Sequence, residues 1–357
     1  MSVSSRNGVL AYGGQTAKES LATAFYRHKT LDINLGAIEQ SARWAPEVGG
    51  SVFNQGQRKT ASYVGGTATI QPRIANVFGW LLYAMTGSVS TVDDHPEAGA
   101  NTHIFKPATD HAYLPWLTMH KYVPGATSAD AIGEILQDCK VAQAVFSMAA
   151  MAPLTMQVGV LGREPSFEEA PSWTYENAYE DVESVPTGNS GYFKLPTFSA
   201  DALEVTSVEV TLANQLSAAR LADEMVIGSY HPDDLLVIGR DVGVRFIYKW
   251  ADPDLWQQVY TGAVDGTAWT PSMYSTDVAA KLNSPNNISG TSTPYSIEIT
   301  APEVDWSIDG QLRLQGNNIL YCPVTGVLKE PETGDPFQIR IVNDVASGDP
   351  DYYTWPS

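Results

Sequence analysis

Four histidines, His95, His103, His111 and His120, fall within one stretch of the chain, and imidazole is a common metal ligand and proton carrier. A zinc site needs such ligands on one element or on facing strands, with a shared orientation. His103 and His120 sit in strand-like segments, whereas His95 and His111 sit in loops with Asp or Pro neighbours, so surface and loop histidines are expected. The acidic pairs Asp93-Asp94, Glu168-Glu169 and Asp233-Asp234 would suit glycoside hydrolysis if two carboxylates faced each other across a bond. They lie instead in turn-rich loops, with no apolar pocket motif to frame them. No GxSxG elbow, HExxH or P-loop occurs, and neither GDPD at 348–351 nor DPDL at 252–255 has the ligand spacing of a calcium loop. Cys139 and Cys322 are far apart and form no CxxC, which fits buried thiols in a reducing compartment and leaves one bridge open. The expectation is a non-enzyme, with no catalytic residue, no metal and no cofactor.

The elements that would carry these residues read as strands. Leu154, Met156, Val158 and Val160 alternate with polar or small residues, as do Val208, Val210 and Leu212. The same period recurs in Val242, Val244, Phe246 and Tyr248, in Ile297 and Ile299, in Leu312 and Leu314, and in Phe337, Ile339 and Ile341. Period-2 alternation gives a strand one buried and one polar face, as in sandwiches and barrels. Two short helices interrupt the pattern. In NVFGWLLYAM, Trp80, Leu81 and Met85 share an apolar face with Val77 and Ala84, and Gly87 ends the run. In DPDLWQQVY, Asp252 is the expected N-cap and Pro253 the first helical residue, with Leu255, Trp256 and Val259 as structural positions and Gly262 just past the end.

Both helices close with Thr-Gly, which points to an internal repeat. INLGAIEQSARW at 33–44 lies against VTLANQLSAARL at 210–221, an offset of 177, and the helix ends are offset by 175. PLTMQVGV at 153–160 lies against PFQIRIVN at 336–343, an offset of 183. The expected organisation is a first domain at 1–165, a connecting segment at 166–196, a second domain at 197–345 and a polar tail at 346–357 with three exposed aromatics. Long loops are expected at 43–60, 88–102 and 264–294, beyond the usual hairpin length of about 2–5 residues.

The formal charge is −19, unevenly spread: residues 1–180 carry 16 acids and 12 bases, and residues 181–357 carry 24 acids and 9 bases. No basic patch exists that would neutralise phosphates, which argues against a DNA-gripping role. The first residues lack the basic and apolar blocks of a signal peptide, and no run of 18 apolar residues would span a membrane.

AYGGQTAKESLAT (11–23), then INLG, then RKTASYVGGTATIQPRIANVFGWLLYAMTG (58–87) resembles the opening half of siphophage major tail tube proteins. THIFKP and LPWLTMHKYV (114–123) are similar to the paired strands that follow in that family, and VEVTLANQLSAARL, VGVRFIY and DPDLWQQVYTG continue the likeness through about residue 343. The resemblance implies a mainly β chain of two tandem β-sandwich or barrel tube domains, each flanked by a short helix. It implies self-association into stacked rings, trimeric with six-fold pseudo-symmetry for a two-domain chain, in the tail of a virion made in the bacterial cytoplasm. Tail tip and tail terminator proteins would be partners, with tape measure protein and DNA in the lumen and no membrane. Ser207, Glu209, Thr211, Asp241 and Arg245 are candidate lumen-facing residues. Another tandem-sandwich virion component, or a carbohydrate-binding protein using the tryptophans, remains an alternative at this level.

Overall fold

The computed structural model describes residues 4–43, 48, 56–75, 77–92, 97–110, 113–175, 184–217, 224–310, 319–346 and 353. The first strands are β1 (Val9–Gly14), β2 (Tyr26–His28), β3 (Thr30–Arg43) and β4 (Gln57–Ile70), followed by helix α1 (Phe78–Thr86). Then come β5 (Gly87–Val92), β6 (Asn101–Pro107), β7 (Leu117–Val123), β8 (Ile132–Ala149), β9 (Thr155–Glu169) and β10 (Thr187–Lys194). The remainder comprises β11 (Val205–Leu216), β12 (Val237–Lys249), helix α2 (Asp254–Thr261), β13 (Tyr274–Asn287), β14 (Pro294–Ile308), β15 (Tyr321–Leu328) and β16 (Gln338–Asn343). The fold is mainly β, as the alternating pattern dictates, and the strands form one large antiparallel sheet system.

Two paths through that system follow the same order. The first runs β3–β4–β9–β8–β7–β1, and the second runs β11–β12–β15–β14–β13–β10. Their hairpins match in detail. The β3–β4 ladder shifts register between Thr30 and Asp32 and again between Gln40 and Ser41; β11–β12 shifts between Val205 and Ser207 and between Gln215 and Leu216. Adding 175 to the β3 positions reproduces the β11 positions at both shifts, and adding 178 carries their partners Ile70 and Ala61 onto Tyr248 and Gly239. A register shift bends a strand at a chosen place, so two coincident pairs are structural landmarks.

The same equivalence aligns β9 with β15, both of which lie beside the second strand of their hairpin. The sequence match of 153–160 with 336–343 therefore pairs strands of different position. β16 instead follows β15 along β14, as the far half of β9 follows its near half along β8.

Several expectations are corrected. The stretches 88–102 and 264–294 hold β5, the start of β6, β13 and the start of β14, and 166–196 holds the end of β9 and all of β10. Pro253, not Asp252, is the N-cap of α2; Asp252 accepts the Asp254 backbone N–H at 3.1 Å. Gly87 and Gly262 do end their helices, at φ of 90° and 81°, a left-handed conformation that glycine adopts without steric cost. Tyr353 is fully buried rather than exposed, because it packs over Gly79 of α1 and its hydroxyl accepts a bond from the Asn343 amide at 2.7 Å. Leu312, Leu314, Tyr352 and Trp355 lie outside the described residues.

A single apolar cluster runs through both paths. It includes Trp80, Leu81 and Met85 of α1 and Leu255 and Val259 of α2. Trp256 is half-buried and stacks on Tyr260 with ring centroids 5.0 Å apart.

Candidate assembly surface

Eight strands pair side by side in the order β3–β4–β9–β8–β11–β12–β15–β14, joined at the middle by the β8–β11 ladder. Directly paired residues share a face, so the registers define two surfaces. One row on the inner surface passes from Ile70 through Met156, Phe146, Val210, Val244 and Gly326 to Trp306. All of its side chains are buried, and this surface is the core.

The opposite surface is polar. Its matching row runs Thr155, Ser147, Glu209, Arg245, Thr325 and Ser307. The structure thus brings the five candidate residues together: Ser207, Glu209 and Thr211 alternate on β11, while Asp241 and Arg245 alternate on β12 beside them. Glu209 stands opposite Arg245 in the ladder, and Arg245 Nε donates to Asp309 at 2.9 Å. Asp241 accepts a bond from the Gln215 amide.

At the mid-point of the ribbon the second hairpin holds the first helix. Asn214 Nδ2 donates to the Met85 and Val141 carbonyls, both at 3.0 Å, and Arg240 donates to the Thr86 and Tyr113 carbonyls, both at 2.9 Å. The last carbonyls of a helix have no intrahelical partner, and Asn214 supplies a donor to that of Met85, while Arg240 shares that of Thr86 with the Ala108 backbone N–H. Sequence reasoning missed both residues. Asn214 carries a signal: it continues the apolar series Val208, Val210, Leu212 with a polar side chain.

The ribbon has two open ends among the described residues. β3 pairs only with β4, and the hairpin lines a cleft of about 460 Å³ together with Lys121, Glu134 and the exposed Phe167. On β14 the β13 ladder ends at Trp306, leaving Ser307 and Ile308 beside a second cleft of about 530 Å³. That cleft is apolar and open: Trp269 is 65% exposed, Met273 54% and Tyr260 46%.

The polar residues considered for chemistry do not converge. His103 bonds Thr91 through Nδ1 and Asn343 through Nε2, at 2.9 and 3.0 Å. His120 is sandwiched between Phe25 and Trp173, at centroid distances of 3.7 and 4.1 Å, and burial lowers its pKa to about 4. Burial raises the thiol pKa of Cys139 and of Cys322, and both are free. Glu168 accepts the Trp173 indole N–H, Asp233 pairs with Lys18 at 3.7 Å, and Asp234 accepts the Leu235 N–H. His95, His111, Asp93 and Asp94 lie outside the described residues. Among the described residues no His, Cys, Asp and Glu group could hold a metal, and no helix is long and apolar enough to cross a membrane.

A comparison with curated proteins finds no match to this chain. The family of phage tail tube proteins matches residues 6–306, a span that contains both hairpins, both helices and the five candidate polar residues of β11 and β12. A mainly β ribbon with one polar surface and open ends suits a self-associating structural component of a phage tail. The chain belongs to the phage tail tube protein family.

Proposed function

We propose that three copies of this chain close into a ring with six-fold pseudo-symmetry, and that the rings stack into the hollow tail tube through which genomic DNA passes to the host cell. The observation that carries this reading is the repeated strand path, with register shifts at equivalent positions of both hairpins. A chain that contains the same unit twice needs half as many copies to complete a ring. The first tube domain occupies residues 1–165 and the second 197–345, with a tail at 346–357 and a connection at 166–196 that adds the end of β9 to the first domain and β10 to the second. We assign β10 to the second domain, because it takes the place beside β13 that β1 takes beside β7.

The polar face of the ribbon lines the lumen in this reading, with Ser207, Glu209, Thr211, Asp241 and Arg245 exposed to passing DNA. Its acids repel the phosphates, and Arg245 is already engaged by Asp309. Around Arg245 such a wall offers DNA little cationic charge to release its counterions against, so the duplex slides. The tube carries no catalytic step. It meets tail tip and tail terminator proteins at its ends, holds the tape measure protein during assembly, and is made in the cytoplasm of the host bacterium.

Electron microscopy and mass photometry of the purified protein over a concentration series test the assembly. Rings or hollow tubes with three chains per layer are expected. Six chains per layer would keep the tube and remove the two-domain reading, and a monomer at every concentration would contradict both.

A further inference from the structure

We infer that helix α2 of one copy seats in the open mouth of the first domain of the next copy, with Trp256 and Tyr260 against Phe167. The inference rests on the ring reading above and concerns the helix side of the ribbon, not its polar face.

The two helices hold equivalent places in the repeat, since Gly87 and Gly262 end them 175 residues apart, but their surroundings differ. Eight of the nine residues of α1 are buried, whereas α2 buries only Leu255 and Val259. α1 is covered because it lies between both domains. From its own domain Tyr26 stacks on Trp80 with centroids 5.1 Å apart, and the Tyr12 hydroxyl donates to the Val77 carbonyl at 3.1 Å. From the second domain Asn343 Nδ2 donates to the Ile74 carbonyl at 2.9 Å, Tyr353 lies over Gly79, and Asn214 and Arg240 hold the helix end. The β5–β6 hairpin that follows α1 then pairs with β16. α2 keeps the inward contacts, through Leu255 and Val259 in the core cluster, and has no such outer cover among the described residues. The segment between α2 and β13 forms no strand and leaves Trp269 and Met273 exposed.

The first domain has the complementary gap. The far half of β9 takes there the place that β16 takes in the second domain, and its Phe167 is exposed where Ile339 and Ile341 of β16 are fully buried. Phe167 lines the 460 Å³ cleft with Ile33, Ile38, Lys121 and Glu134. Glu134 accepts the Lys121 ammonium through Oε1 at 3.0 Å, while its Oε2 is buried and has no donor among the described residues. Such a mouth suits tyrosine and tryptophan, which bring an apolar ring with a donor at its tip. The uncovered face of α2 supplies them: Trp256 stacks on Tyr260 and shares the 530 Å³ cleft with Trp269 and Met273, rimmed by exposed Asp252 and Asp265. An apolar patch with a polar rim marks a contact surface. A second copy is the occupant because the chain carries both surfaces, one on each domain. The seat of α1 against the second domain shows that a helix at this place is covered by the domain that follows. Two different surfaces meeting in this way make a head-to-tail contact.

Two measurements test the seat. A photoreactive benzophenone side chain in place of Phe167 should cross-link, in assembled tubes and not in the free chain, to peptides covering 254–273 of another copy. Tyr260→Asp, at an exposed position, should leave the melting temperature of the free chain unchanged and raise the concentration needed for tubes at least about tenfold. Phe167→Asp should do the same, and the double variant should need little more than either single one, because each removes the same contact. Tubes that form from both single variants at the parental concentration, with no cross-link to 254–273, would overturn the seat while leaving the tube reading intact. A parent chain that forms neither tubes nor cross-links at any concentration would overturn both.

Discussion

Asn214, in the second hairpin, donates from its amide to the carbonyl of Met85, near the end of the first helix, at 3.0 Å. Its second bond reaches the Val141 carbonyl of β8 at the same distance. One side chain thus ties three elements at the β8–β11 joint, in a buried setting where a lost donor is costly. Asn214→Ala should destabilise the chain by about 1–3 kcal/mol, the range for leaving buried acceptors unsatisfied. A fall in the urea midpoint with an unchanged slope would show it; an unchanged midpoint would mean that water or a shifted side chain replaces the amide.

Tyr353 gives a second test, because it couples the end of the chain to the first helix. Its ring covers Gly79 and lies edge-on to His103, with centroids 5.0 Å apart, and its hydroxyl bonds the Asn343 amide. Tyr353→Ala removes a fully buried aromatic and should cost about 3–5 kcal/mol, the range for large aromatic truncations. Gly79→Ala should also destabilise, since its new Cβ would lie about 2.4 Å from the Tyr353 ring. Thermal unfolding of the two variants measures both effects, and a melting temperature equal to that of the parent in either would contradict this packing.

Acid should weaken the fold through two histidines. Burial, aided by Arg73, lowers the His28 pKa to about 4, and burial alone lowers that of His120 to about 4. Protonation then favours the unfolded chain, whose histidines titrate near 6.5. The stability these groups contribute is complete above about pH 6.5 and is lost as the pH falls towards 4, by up to about 3 kcal/mol each. His120→Phe, which keeps the stack with Phe25 and Trp173, should flatten the pH dependence of the urea midpoint across that window. An unaltered slope would show that His120 is not responsible.

The polar face makes an electrostatic prediction. Glu209→Lys with Asp241→Lys places added cations on the face that holds Arg245. Assembled tubes of this variant should bind duplex DNA with an affinity that falls steeply with salt, at a slope of about −0.9 per phosphate neutralised. Parent tubes should show no such binding. If both behave alike, these residues do not face the passing DNA.

The alternation of Val208, Val210 and Leu212, and of Val242, Val244, Phe246 and Tyr248, made β11, β12 and their polar partners readable, because a period of two fixes which side chains share a face. Thr-Gly after each helix was readable for the same kind of reason: a left-handed residue favours glycine. The hairpin register was not. The offset of 177 aligned Leu35 with Leu212, while the ladders align Leu35 with Val210, because a displacement of two residues keeps every side chain on the same face of a strand and the alternation fits either offset. β5, β10 and β13 were hidden in stretches rich in Gly, Ser, Asn and Pro, where pairing with neighbours decides the conformation more than local preference does. Asn214 and Arg240 act across more than 120 residues of sequence, and nothing local in either announces its partner.

Cryo-electron microscopy of the assembled protein, at a resolution that separates strands, tests the central claim most directly. The account predicts three chains per ring, with the inner wall built from eight strands of each chain and Glu209 and Arg245 on its lumen side. A ring of six chains, or a ring in which Glu209 and Arg245 face outward, would contradict it.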